Sequence, residues 1–301
     1  MNKVVISGAT SMIGLSLIKE CVRNDTQALA IIRKGSSKRY LLPQSDLIKI
    51  IECDIDEFDK VEIPDADCDC FYHFMWAGTT GVARNDEGLQ MKNIDYCLDA
   101  LRLAKKMGCR KFVGAGSQAE YGIKSEILKE DTQADPVTEY GKAKLKACDR
   151  CFKLSKDLNI EFNWVRILSV YGENDGENTL ISSLIRKIRN KEAVELTACE
   201  QIWDYLYCED AGKAFYLIGQ KGKERGIYVL GSGRSAQLKE YVEIIKNKLD
   251  QNANIDYGAI PYGKNQIMYL KADIGTLQKD TGWKPETGFS EGIDRMIQKA
   301  K

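Results

Sequence analysis

Only one histidine occurs among the 301 residues, and that scarcity removes several chemistries at once. A Ser-His-Asp triad, a histidine-rich metal centre and a histidine general base anywhere but position 73 are excluded. Charge of one sign is missing too: lysine and arginine total 44, aspartate and glutamate 44. No long-range field therefore draws the chain to nucleic acid or to an anionic membrane surface, and binding must be local. No segment approaches the ~18 consecutive apolar residues of a membrane span. The N-terminus opens straight onto a strand, without the charged head and apolar core of a signal peptide, so a soluble cytoplasmic protein is expected. Internal repeats and low-complexity linkers are absent as well.

His73 closes the apolar run Cys70 to Phe74 and reads as a buried histidine satisfied by hydrogen bonds. Proton chemistry then rests on tyrosine, lysine or carboxylates. The ten cysteines are spread through expected strands and helices, as small buried hydrophobes of a reducing compartment are. Cys148 and Cys151 have a zinc-like spacing, but no second pair or histidine lies near them, and no metal site is expected.

The most informative stretch runs from Arg110 to Leu145. Lys111 to Gly114 is a short apolar strand, followed by the small residues Ala115 and Gly116, which let a chain or ligand come close, and then by Ser117. Asp135 and Pro136 have the character of an N-cap and a first helical position, so a helix is expected to begin near Tyr140. Tyr140 and Lys144, four apart, project from one face of it. A free phenol titrates near ~10, and a cation within ~4 to 6 Å favours the phenolate. Lys144 is the expected cation, and Ser117 could hold the same substrate oxygen against Tyr140. Such a tyrosine takes a proton from an alcohol or gives one to a ketone while hydride moves to or from a cofactor. Alone, Tyr-xxx-Lys is a common accident on amphipathic helices; its context decides.

That context stands at the start of the chain. The apolar strand Lys3 to Ser7 runs through Gly8-Ala9-Thr10-Ser11-Met12-Ile13-Gly14 into an apolar-periodic helix, Leu15 to Val22. Strand, glycine turn and helix N-terminus in that order form an anion site fit for a pyrophosphate. Gly8 to Gly14 resembles the Gly-x-x-Gly-x-x-Gly turn of the extended short-chain dehydrogenase/reductase family, the NAD(P)-dependent sugar-nucleotide epimerases, dehydratases and reductases, with Ser11 in place of the middle glycine. Ser117-Gln118-Ala119-Glu120-Tyr121-Gly122 and Tyr140 to Lys144 are similar to that family's catalytic serine and Tyr-xxx-Lys, although Glu120 falls where the family has an apolar residue. The likeness covers nearly the whole chain.

Alternating strands and helices up to about Ser169 argue an α/β fold, a doubly wound parallel Rossmann sheet, with a smaller C-terminal substrate-binding region. Residues 1–170 and about 203–225 are expected to bind the dinucleotide, and about 171–202 and 226–301 the substrate. Arg33 follows the second strand, Ala28 to Ile32; a basic residue there suits a 2'-phosphate, which points to NADP, with NAD possible, while its other reading is a solvated loop charge. The resemblance places the cofactor also on Thr10, Met12 and Ile13, on Asp54 and Ile55 after the third strand, on Phe74, Met75 and Trp76 after the fourth, and on Asn93, Ala115, Tyr140, Lys144 and Leu168. It further implies a homodimer through helices near 86–107 and 136–158.

Substrate residues implied by the resemblance are Ser117, Gln118, Ser169, Thr179, Leu180, Trp203 and Lys264. The arginine expected before Asp204 to grip a diphosphate is Trp203, which either stacks on a base or sugar or packs between lobes. Arg186, Arg189 and Arg234 are replacements or solvated charges. Relatives that remove water across C5 and C6 of the sugar carry an Asp-Glu pair where this chain has Gln118 and Ala119, which argues against dehydration. Three readings survive: reduction of a 4-keto sugar nucleotide, epimerisation through a transient ketone with retained NAD, and a catalytically silent NADP-binding sensor or scaffold. The intact Ser117, Tyr140 and Lys144 set weighs against silence, and Arg33 tilts the balance towards the reductase.

Overall fold

A computed structural model describes residues 1–61, 67–224 and 226–299. The chain runs through β1 (Lys3–Ser7), α1 (Met12–Arg23), three successive strands β2 (Gln27–Ile32), β3 (Ile48–Glu52) and β4 (Cys70–His73), and then α2 (Glu87–Lys106), β5 (Lys111–Ser117), α3 (Glu139–Asp157) and β6 (Glu161–Ile167). The chain continues through β7 (Ser169–Tyr171), α4 (Leu180–Arg189), β8 (Val194–Leu196), β9 (Ile202–Trp203), β10 (Tyr205–Tyr207), α5 (Cys208–Lys221) and β11 (Ile227–Leu230). It closes with β12 (Ala236–Gln237), α6 (Leu238–Leu249), β13 (Ile255–Tyr257), α7 (Gly275–Thr281) and α8 (Phe289–Lys299).

Seven strands pair in the order β11-β6-β5-β4-β1-β2-β3, every pairing parallel. Period-two alternation explains how one sheet serves two cores. Val4, Ile6, Ala28, Ala30 and Ile32 face the layer that holds α1 and α5, whereas Val5, Leu29 and Ile31 face the layer of α2 and α3. A third cluster, built on Ile181, Leu184, Ile188, Val242, Ile245 and Ile293, holds the C-terminal helices α4, α6 and α8 together. The doubly wound sheet with a smaller C-terminal region is thus present, and the carboxyl ends of its strands are where ligands lie in such folds.

Two local expectations are corrected. Thr138, not Asp135, caps α3: its hydroxyl accepts the Gly141 N–H at 3.1 Å, and the helix starts at Glu139. Proline keeps the residue before it extended, and Asp135 instead donates its N–H to the Tyr121 carbonyl at 3.3 Å. The second concerns residues 227–230, which the sequence reading gave to the substrate-binding region. They form β11 and complete the sheet by pairing with β6.

Candidate active site

The ends of β1, β2, β3 and β4 build the candidate cofactor side. Gly8, at φ +72°, ends β1, and a Cβ there would stand 3.0 Å from the Met75 N and 3.1 Å from the Phe74 carbonyl carbon, so only glycine fits. Ser11 caps α1, its hydroxyl accepting the Gly14 N–H at 3.1 Å. A Cβ on Gly14 would come within 2.5 Å of the Gly8 carbonyl oxygen. The N–H groups of Met12 and Ile13 find no acceptor among the described residues, and the first turn of α1 holds no acidic side chain. Two free amides at a positive helix end fit a pyrophosphate.

Beyond β2, Lys34 is engaged by Glu57 at 2.6 Å and Arg39 by Glu52 at 2.7 Å, while Arg33 stands exposed without a carboxylate partner among the described residues. Asp54 accepts the Lys34 N–H at 3.2 Å and so ties the loop after β2 to the loop after β3, where Ile55 packs inward. Phe74 does not turn its ring to the cleft. It packs edge-on against Phe215, ring centroids 4.7 Å apart, and Met75 joins the opposite core. Asn93 instead clamps the backbone of Ala77, accepting its N–H and donating to its carbonyl, both at 2.9 Å. That clamp presents Trp76, whose indole N–H donates to Gln90 at 2.9 Å.

Ser117, Tyr140 and Lys144 converge as expected, but not in the expected electrostatic arrangement. Lys144 is buried and donates to the Ala115 carbonyl at 2.7 Å, with its ammonium 3.7 Å from the Trp76 ring centroid and 5.8 Å from that of Tyr140. Burial pushes it down to about 8. The Tyr140 hydroxyl is raised, not lowered. Burial is the main cause and Glu120 adds to it, against the lowering effects of the Ser117 hydroxyl and the Arg84 guanidinium. Arg84 lies over the Tyr140 ring at 4.2 Å, anchored by the Thr79 carbonyl at 2.9 Å, with no carboxylate partner among the described residues. No motif in the sequence singled it out.

The substrate side is less complete. Gln118 has a buried side-chain oxygen with no hydrogen-bond partner, beside Ser117. Trp203 donates its indole N–H to the Ser169 hydroxyl at 2.7 Å, which joins two of the expected residues and seats Trp203 between apolar clusters. Leu168 is buried in one of these clusters. Thr179 precedes α4 and donates to Asp175 at 2.9 Å, while Leu180 packs into the C-terminal cluster. Lys264 lies exposed in a turn, and no contact links it to the other candidates among the described residues. Arg186 is engaged by Glu192 at 3.1 Å, and Arg189 donates to the Ile297 carbonyl. Arg234 lines two cavities, one of about 200 Å³ with Tyr205 and Phe289 and one of about 480 Å³ with Lys271 and Lys284. His73 is buried and bonded to Ser7 through Nδ1 at 2.8 Å, leaving Nε2 without a partner.

The sequence pattern of the NAD dependent epimerase/dehydratase family matches residues 4–231, three-quarters of the chain. The chain belongs to that family. Among similar proteins is the CDP-abequose synthase of Salmonella muenchen, 25% identical over 306 aligned positions that cover 98% of this chain and 97% of the relative. The dTDP-4-dehydro-6-deoxyglucose reductase of Escherichia coli is 30% identical over 197 positions, covering 64% and 61%. Among solved structures, the UDP-N-acetylglucosamine 4-epimerase of Methanobrevibacter ruminantium, in complex with UDP-N-acetylmuramic acid, superposes with a TM-score of 0.89 at 22% identity, covering 99% of this chain and 97% of that one. Family membership accounts for the glycine turn and the doubly wound sheet; Trp76 and Glu120 are read from this chain alone.

The buried lysine of this family member carries a measurable signature. Because the folded-state value lies below that of an unfolded lysine, the unfolded chain binds more protons between about pH 8 and 10.5. The penalty for burying the ammonium is therefore complete below pH 8 and fades as pH rises through that window. Lys144→Met is expected to raise unfolding free energy by about 2 kcal/mol at pH 7, with the difference closing near pH 10.5. Urea denaturation at both values tests it, and a variant less stable than wild type by the same margin at both would contradict the burial account.

Proposed function

We propose that this chain is an NADPH-dependent reductase of a 4-keto nucleoside diphosphate sugar, with Tyr140 as proton donor. The observation that carries the reading is the convergence of Ser117 at the end of β5 with Tyr140 and Lys144 on one face of α3, the Lys144 ammonium 5.8 Å from the buried Tyr140 ring; a phenol holds its proton at neutral pH and can give it to a ketone. Similarity to a dTDP-4-dehydro-6-deoxyglucose reductase and a CDP-abequose synthase supports the substrate class. Gln118 and Ala119, where dehydratases carry acids, speak against water elimination.

The glycine turn, the free Met12 and Ile13 amides, Asp54, Asn93 through Ala77, and Lys144 would hold the dinucleotide, which when bound supplies the hydride. Ser117 orients the substrate oxygen, and the free Gln118 oxygen accepts a substrate hydroxyl. Tyr140 transfers its proton to the carbonyl oxygen as that atom gains charge, and regains one from solvent afterwards. Lys144 stays charged at pH 7 and stabilises the phenolate that forms. Exposed and unpaired, Arg33 receives the 2'-phosphate that distinguishes NADP from NAD. The ten free, buried thiols support a reducing compartment, the cytoplasm.

Tyr140→Phe is expected to cut kcat by a hundred- to a thousandfold, roughly, while NADPH still raises the melting temperature as it does for wild type. Full turnover by this variant on a 4-keto-6-deoxy sugar nucleotide would refute the assignment, and stoichiometric NAD released on denaturation would point to an epimerase instead. Arg33→Ala should raise KM for NADPH about tenfold and leave KM for NADH nearly unchanged, since one charge-assisted bond is worth about 1.5 kcal/mol or more; an equal effect on both removes Arg33 from cofactor choice. We also assign the outer faces of α2 and α3, where Met91 is exposed, to the pairing of two copies. Light scattering should give twice the 33.9 kDa chain mass, and a monomer mass at micromolar concentration would exclude it.

A further inference from the structure

Behind Ser117 lies an ion pair that the fold has taken trouble to accommodate. Glu120 is fully buried, and Arg166 on β6 is nearly so. One Glu120 oxygen accepts the Ser117 backbone N–H at 2.8 Å and the Trp164 indole N–H at 3.0 Å, and the other accepts Arg166 Nε at 2.8 Å. Arg166 lies over the Tyr121 ring at 4.5 Å and also reaches the Glu130 carbonyl at 3.3 Å. The small residues of β5 serve this arrangement. A Cβ on Gly114 would lie 2.4 Å from the Trp164 ring, and one on Gly116 2.3 Å from its Nε1 and 2.6 Å from the Glu120 oxygen. They admit Trp164 and Glu120, so the close approach of chain or ligand expected at these small residues is made by the chain. Trp164 in turn stands 5.8 Å from the Lys144 ammonium.

A buried pair of this kind is seldom a net source of stability compared with apolar residues of equal volume, which leaves its placement to be explained. We propose that Glu120 is a positioning residue for the proton donor: with Arg166 it fixes the turn that presents Ser117 and sets negative charge behind Tyr140 and Lys144. The proposal rests on the reading of Tyr140 as an acid, and it adds a second, smaller influence to the burial that favours the protonated hydroxyl. The groups facing Tyr140 are Arg84 from the turn Val82–Asn85, Ser117 from the end of β5, Glu120 from the short helical turn that follows it, and Lys144 from α3 itself. Of these, Glu120 is the anion. It raises both the Tyr140 hydroxyl and the Lys144 ammonium, though burial is the larger influence on each.

Glu120→Gln separates charge from scaffold. The amide oxygen can keep the bonds from Ser117 and Trp164, whereas the amide nitrogen meets Arg166 as donor against donor. Tyrosine labelled with ¹³C at the ring carbon bearing oxygen, with Tyr140 assigned from Tyr140→Phe, reports ionisation of that hydroxyl without any substrate. In Glu120→Gln the Tyr140 resonance should begin to titrate about one pH unit below wild type. The double variant Glu120→Gln with Arg166→Met should restore most of the difference. Trp164→Phe removes a donor but no charge, so it should leave the titration in place. A Glu120→Gln curve that overlays wild type, a double variant that stays with the single one, or an equal displacement in Trp164→Phe each overturns the proposal.

Should Glu120→Gln fail to fold, Glu120→Asp keeps the charge and draws it back by one methylene. It should titrate Tyr140 as wild type does and lower kcat on the keto-sugar substrate about tenfold with little change in KM, because the serine turn loosens. An unchanged kcat would count against the positioning role. If the wild-type chain turns over no keto-sugar nucleotide at all, the functional reading fails, and the ¹³C titration still decides this proposal separately.

Discussion

Keeping an ammonium group charged inside a protein is the constraint on which this end of the sheet depends. Among the described residues no carboxylate pairs with Lys144; it has one carbonyl and the face of an indole. A carbonyl and a ring quadrupole stabilise a cation only partly, which is why burial still lowers its affinity for a proton. The surroundings follow from that need. The carbonyl that receives Lys144 belongs to β5, whose glycines make room for Trp164. The indole is held by Gln90 and by the Asn93 clamp on Ala77, so α2 supports a residue that α3 requires.

The same economy explains why tyrosine and lysine, four residues apart on one helix face, need not lie in direct contact. Their shared face delivers both to one small volume, but rotamers and partners decide where each polar end goes. Here the ammonium turns to the β5 carbonyl, and the phenol turns to the strand-end serine beneath the Arg84 guanidinium. Helical spacing fixes the meeting place and leaves the electrostatics to the neighbours. In this chain those neighbours come from four separate elements.

Much of the architecture was legible in the sequence because it is local. Short apolar runs located the strands, and a glycine turn between strand and helix marked the anion end of the sheet. Ser117, Tyr140 and Lys144 were found because their spacing is itself the signal. What escaped was what depends on partners distant in sequence. Nothing in Val82–Asn85 says that Arg84 will lie on a tyrosine more than fifty residues away, and Glu120 looked like an irregularity until Arg166 was seen facing it. The cap of α3 was misplaced because Asp135-Pro136 imitates one, while Thr138 has the required reach. Phe74 was expected in the cofactor cleft, but a strand's alternation turned its ring the other way, onto Phe215.

The placement of β11 bears on how such proteins can diverge. This strand comes from the C-terminal third of the chain, yet it covers the flank of β6, the strand that carries Arg166. A cut near residue 170 or 225 would leave β6 as a bare sheet margin and strand its guanidinium at an unsealed seam. The two regions must therefore melt together in one transition. Grafting a foreign C-terminal third would have to import a matching seventh strand as well, so that whatever that third carries is inherited together with foldability.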